Sequence, residues 1–345
     1  MKKRWLGYAS VLAAASASTG CTSTDGFHVK EVGSFHTGGT QVSLAGLPER
    51  EIRLTPSAPP MKVDPNGEFD TGQVYVQYVK LAAPRARYPL LMWHGGGLTG
   101  VTWETKPDGA PGWQQYFLKQ GHDVYLSDAV ERGRASWSRY PEIFTSEPFF
   151  RPKHEAWEGF RIGPTYDKDP AKRVAYAGGQ FPAQAFDQFT RQGVPRWATN
   201  NAATQAAYDA LVAKVCPCVI VVHSQGSAFA LQASLNAPGK VKGIVAVEPG
   251  GAPDPARVDL SAAKNVPHLF VWGDNLAGND GWTKLRAAPD RYRAALLAQG
   301  AKADLLDLPA RGIRGNSHML MMDRNSDEVA SLIQSWMAAN GLMKQ

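Results

Sequence analysis

Ser224 stands where the apolar run Val219-Ile220-Val221-Val222 meets His223-Ser224-Gln225-Gly226-Ser227, so that a strand runs directly into a helix. A serine at such a junction sits on a tight turn that lifts its hydroxyl above the sheet and aims the helix amino terminus at it, the setting of an activated nucleophile. The G-x-S-x-G pattern of such turns asks for small residues two before and two after the serine. Gly226 meets the second position and Val222 fills the first. A buried serine capping the helix is the alternative for the same residues. A nucleophilic serine needs a base, and of the eight histidines His318 is the best placed. It lies in the polar loop Arg314-Gly315-Asn316-Ser317-His318-Met319, after the last expected strand and before the last expected helix. His223 adjoins Ser224, and an extended backbone points neighbouring side chains apart. Two acids end strands in the interval: Glu248 after Ile244-Val245-Ala246-Val247, and Asp274 after Leu269-Phe270-Val271-Trp272-Gly273. Either could orient the imidazole and stabilise its protonated form.

Upstream, Leu90-Leu91-Met92-Trp93-His94-Gly95-Gly96-Gly97 is a strand ending in glycines, and it resembles the HGGG segment of esterases and lipases. Backbone amides on such a loop hold a developing oxyanion without reorganising, and glycine leaves the approach open. The expected donors are the amides of Gly96 or Gly97 and of Gln225, with His94 holding the loop. Gly95, Gly97 and Gly100 also fit the dinucleotide fingerprint G-x-G-x-x-G, but Val101 to Gly112 holds Trp, Pro and Gly where that motif needs a helix.

Seven short apolar runs, over 74–81, 89–93, 123–126, 218–222, 242–247, 268–272 and 304–308, alternate with helical stretches over 113–120, 202–215, 227–236, 290–299 and 327–340. That alternation predicts an α/β fold, a mostly parallel sheet flanked by helices. The core is assigned to 73–134 and 202–345, with 21–72 as a tether and irregular hairpins. Between them, 135–201 shows no clear strand yet holds 13 of the 34 aromatic residues and seven of the 24 prolines. A disordered linker would be poor in aromatics, so this is an inserted cap, placed over the carboxyl ends of the strands where open α/β sheets bind ligands. Trp157, Phe160 and Phe181 are its candidate pocket residues.

The first 20 residues carry Lys2, Lys3 and Arg4 followed by a charge-free, Ala-rich run, the pattern of a cleaved signal peptide and too short for a permanent span. Cleavage after an A-x-A series competes with a lipobox at Ser18-Thr19-Gly20-Cys21, which is preferred and makes Cys21 a lipidation site; any membrane contact would run through that anchor. The formal charge is +6, and losing these three cations leaves 34 basic against 31 acidic residues, too even a balance to suggest nucleic acid. Three cysteines without metal-ligand spacing predict no metal site. Cys216-Pro217-Cys218 reads as two buried thiols, because a one-residue spacer forces a small ring.

Taken together, His94 to Gly100, Cys216 to Gln225, Val247 to Gly250, Gly315 to Met319 and Met321 to Asn325 carry a resemblance. The chain resembles an α/β-hydrolase over roughly residues 70–343, and more narrowly a small group of secreted bacterial serine esterases with an H-S-Q elbow and V-E-P-G. In that superfamily the acid most often stands where Asp274 does. In the narrower group it follows the sixth strand, so the resemblance favours Glu248, and that group's elbow also lacks the first glycine. The resemblance implies a carboxylic ester hydrolase using Ser224, His318 and Glu248 through an acyl-enzyme, without metal or organic cofactor, on small esters with an apolar or aromatic part. An acyltransferase or thioesterase would use the same triad, and a surface lipoprotein that only binds a ligand is the non-catalytic alternative. The expected location is the periplasm or the outer membrane, or outside the cell. A homodimer would use the exposed cap or the amino-terminal hairpins.

Overall fold

The computed structural model describes residues 26–344. The signal segment and Cys21 lie outside the described residues. The strands are β1 Val29–Leu44, β2 Arg50–Ile52, β3 Met61–Val63, β4 Gly67–Leu81, β5 Leu90–Trp93, β6 Val124–Asp128, β7 Cys218–His223, β8 Val241–Val247, β9 His268–Trp272 and β10 Ala303–Asp307. The helices are α1 Trp113–Lys119, α2 Lys153–Gly159, α3 Phe186–Thr190, α4 Asn201–Val215, α5 Gly226–Asn236, α6 Asp280–Ala298 and α7 Ser326–Ala339. Eight strands form one sheet in the order β1-β4-β6-β5-β7-β8-β9-β10. From β6 to β10 every neighbouring pair is parallel; β4 joins β6, and β1 joins β4, antiparallel. The seven strands expected from the sequence are β4 to β10, and the mostly parallel sheet is as expected.

Because successive strand residues face opposite sides, β7 and β8 supply both cores. Val219, Val221, Val245 and Val247 pack with Phe117 of α1 and Ile333 of α7. Ile220, Val222, Ile244 and Ala246 pack with Leu211 of α4, Leu231 of α5 and Leu296 of α6. Trp93 ends β5 stacked on Tyr208 of α4, ring centroids 3.8 Å apart. Such a pair adds about 0.5–1.5 kcal/mol beyond area burial, and it fixes the strand end from which the glycine loop departs.

Three expectations need correction. The described part of 21–72 is not irregular throughout: β1 is a 16-residue strand paired with β4 along its length. Its partly buried face is Glu31, Gly33, Phe35 and Thr37, with Val29 and Val32 exposed, so this edge strand carries no apolar run to announce it. Helix α6 begins at Asp280 rather than 290; Asn279 caps it by accepting from the Trp282 amide, and the helix continues through Pro289. Cys216 and Cys218 form a disulfide with Cα atoms 4.4 Å apart. Cys216 follows the last residue of α4 and Cys218 opens β7, so the pair closes the helix-to-strand turn at Pro217 rather than standing as two free thiols.

Between β6 and α4 the chain builds a layer over the strand ends around α2 and α3. Trp157 packs edge-to-face on Phe186, and Phe189 on Phe181 and Phe160. Arg173 pairs with Asp187 and lies over the rings of Tyr166 and Phe186.

Candidate active site

Ser224 occupies the turn between β7 and α5 with φ +52°, a left-handed conformation that costs a non-glycine residue about 1–3 kcal/mol. Its amide donates to the Val247 carbonyl at 3.0 Å. The turn closes tightly on Gly226, where a Cβ would lie 2.7 Å from the His94 carbonyl oxygen and 2.8 Å from Val222 Cγ2. A side chain is therefore excluded at Gly226, whereas Val222 packs in the core.

The loop after β10 brings His318 to the serine. Ser224 Oγ lies 2.9 Å from His318 Nε2, and His318 Nδ1 lies 3.0 Å from Glu248 Oε2. With a carboxylate facing Nδ1, that nitrogen carries the proton and Nε2 accepts from the hydroxyl. His318 is 1% exposed, with its amide donating to the Phe160 carbonyl at 2.8 Å and its ring against Phe160 and Trp282. Burial holds its pKa down to about 4, although Glu248 pulls the other way. Buried Asp323 braces the loop by accepting from the Ser317 amide and hydroxyl and from Asn316 Nδ2. Burial nevertheless raises its pKa to about 6.

Glu248, also at positive φ, directly follows β8 and is completely buried. Its Oε1 accepts from the Gly273 amide at 2.5 Å, and its Oε2 also meets Arg161 Nη2 at 2.7 Å. Burial opposes its ionisation, but Arg161 and His318 outweigh burial and lower the pKa to about 2. Asp274 serves a different purpose, accepting from the Gly315 amide at 2.9 Å and so holding the histidine loop.

The glycine loop lies beside the nucleophile: a Cβ on Gly95 would be 2.9 Å from Ser224 Cβ. His94 holds the loop, bonded through Nδ1 to the Gly95 carbonyl at 2.8 Å and accepting through Nε2 from the Ala129 amide at 3.0 Å. Gly96, Gln225, Ser224 and His318 share a cavity of about 470 Å³ with Phe160, Trp282 and Leu285. Gly97 lies in an adjoining cavity of about 300 Å³ with Phe150, Phe160 and Phe189. Of the three cap aromatics expected at the pocket, Phe160 alone lines these cavities. Trp157 and Phe181 are corrected to the cap's interior, 1% and 3% exposed, because their rings complete the edge-to-face cluster. Sequence reasoning missed Arg161 and Trp282. The Asn279-Asp280 cap signal could have found the helix that carries Trp282; nothing local marks Arg161.

A parallel sheet with these side chains at its carboxyl edge is the α/β-hydrolase arrangement. No protein-family model matches the sequence. A bacterial esterase solved at atomic resolution is 34% identical and superposes with a TM-score of 0.79, covering 91% of this chain and 97% of that one. The probable secreted lipase phiG of Fungal sp. (strain ATCC 74256) is 28% identical over an alignment of 335 positions that covers 78% of this chain and 87% of that protein. The chain belongs to the α/β-hydrolase esterases and is a carboxylic ester hydrolase.

Proposed function

We propose that the protein is an exported serine esterase acting through an acyl-enzyme on small esters with an apolar or aromatic part. The observation that carries this is the unbroken chain of contacts Ser224 Oγ to His318 Nε2 and His318 Nδ1 to Glu248. Ser224 Oγ attacks the ester carbonyl carbon while His318 Nε2 takes its proton. The amides of Gln225 and of Gly96 or Gly97 receive the oxyanion; among the described residues none of the three donates to a protein carbonyl. The bond to the alcohol oxygen breaks as His318 returns the proton to it. Water, deprotonated by His318, then attacks the acyl-enzyme and frees Ser224. Phe160, Trp282 and Leu285 support an apolar substrate part. The secreted fungal relative supports export, and lipidation at Cys21 remains part of the proposal.

A fluorophosphonate probe is expected to add its mass to the peptide containing Ser224. Folded protein that hydrolyses esters without acquiring that adduct would refute the serine mechanism. The glycine of V-E-P-G supplies a finer test. A Cβ on Gly250 would sit 3.2 Å from both Ser224 Oγ and the Gln225 amide nitrogen. Gly250→Ala is expected to lower kcat roughly tenfold, about 1.4 kcal/mol of transition-state stabilisation, with little change in thermal midpoint. Steady-state rates on a soluble ester check this, and an unchanged kcat would remove Gly250 from the account.

A further inference from the structure

The cavity at Ser224 holds two guanidinium groups that hydrolysis of a neutral ester does not require. Arg151 and Arg196 both line it. Arg196 reaches the glycine loop, where a Cβ on Gly96 would meet its Nη1 at 2.6 Å. Its backbone bonds twice to Phe149, at 2.7 and 3.0 Å, which places it beside the segment that carries Arg151. Its side chain has no ion pair among the described residues. Arg151 touches one acid, Glu155, at 3.9 Å, and otherwise lies over the rings of Phe149 and Phe160. The acid lining the same cavity, Glu158, is solvent-exposed, as is Arg151, whereas Arg196 is partly buried.

A third cation stands behind the loop. Arg132 is 5% exposed, its Nη1 is 3.4 Å from the Gly95 carbonyl oxygen, and its Nε has no hydrogen-bond partner. Burial, joined by the charge of Arg196, lowers its pKa. Burial and then the charge of Arg151 act in the same direction on Arg196. Like charges gathered at one cavity repel; the long, exposed Arg151–Glu155 pair offsets only part of this and no acid pairs with Arg196 among the described residues, so an anion arriving with the ligand would offset more.

We propose that Arg151 and Arg196 form a carboxylate-binding subsite beside Ser224, so that the preferred substrate is an ester whose acyl or alcohol part bears a carboxylate. This rests on the serine-esterase reading and names its substrate class. The apolar wall of Phe160, Trp282 and Leu285 then contacts the stem between carboxylate and ester.

Two matched pairs test it: methyl hydrogen adipate against methyl hexanoate for the acyl half, and 4-acetoxybenzoate against its methyl ester for the alcohol half. Rates are normalised to alkaline hydrolysis. In one pair the anionic member is expected to have a kcat/KM at least about tenfold higher, the scale of one charge-assisted hydrogen bond, carried by KM and weakened by salt. Arg196→Gln and Arg151→Gln should bring that ratio towards unity. Free adipate should inhibit competitively and more strongly than inorganic phosphate; the reverse order would overturn the assignment to a carboxylate. No preference in either pair overturns the subsite. So does an equal fall on both members in the variants, which would mean that Arg196 acts on the oxyanion instead. Fluorophosphonate labelling of the same samples separates the two levels of failure. Labelled protein that cleaves esters without preference sinks the subsite alone, whereas folded wild-type protein that neither labels nor cleaves sinks the serine-esterase reading as well.

Discussion

Ser224→Ala is expected to lower kcat for ester hydrolysis by roughly 10⁴- to 10⁶-fold while leaving KM within a few-fold. The hydroxyl is the attacking atom in the proposed mechanism, and nothing in the cavity replaces it. The variant should fold, because alanine has to adopt the same positive φ as serine and loses one hydrogen bond, to His318. Such a bond contributes about 0.5–1.5 kcal/mol net. The remaining rate reflects water attacking an ester that the oxyanion amides still polarise. Initial rates and a melting curve on the same sample provide the check. Retention of more than about 1% of wild-type kcat in a folded variant would mean that another group attacks.

Arg161→Met is expected to damage both stability and catalysis. Arg161 follows α2 at φ +56°. It donates through Nε to the Asp274 carbonyl at 2.8 Å and lies 4.5 Å from the centre of the Trp282 ring, with its side chain and that of Glu248 both 0% exposed. Removing one partner of a buried ion pair costs about 3–5 kcal/mol because the other charge stays buried. The catalytic effect has a definite sign. After burial, Arg161 is among the groups that lower the His318 pKa, opposing Glu248. Without it the imidazole holds its proton to higher pH, so the acid limb of kcat/KM moves upward from below the usual histidine range. At mildly acidic pH the loss should reach roughly tenfold. Arg161→Lys, which keeps the charge, should return the limb towards its original position. If the methionine variant melts earlier but keeps the wild-type pH profile, Arg161 is a structural pair and nothing more.

What the sequence discloses follows the range of the forces involved. β5 to β10 are short apolar runs bounded by glycine or polar residues; Ser224 and Glu248 each directly follow a strand, and His318 lies in the polar loop between the last strand and the last helix, so local pattern finds them. The choice between Glu248 and Asp274 is not local. Both end neighbouring strands, and what separates them is that Asp274 faces Gly315 while Glu248 faces His318. The cap is legible as an aromatic insertion, but not which rings turn inward. Trp157 and Phe160 are three residues apart; one is committed to the interior cluster and the other lies past the end of α2, where the chain turns. Arg161 was illegible for a related reason. A positive φ outside glycine leaves no compositional mark, and its partner is 87 residues away. The Cys216–Cys218 bond is not legible because the turn that brings the two thiols together is set by how α4 and β7 dock, not by the one-residue spacing.

The cap also meets the triad with its backbone. Phe160 gives its carbonyl to the His318 amide, Gly159 gives its carbonyl to Trp282 Nε1, and Gln180 bonds to both sides of the histidine loop, at Gly315 and Arg324. The insertion thus acts as a keystone: until it is seated, the general base has lost an anchor and the buried glutamate its counter-cation. A chain with its cap undocked would carry every catalytic side chain without these supports, so full hydrolytic power is expected only once the insertion has docked.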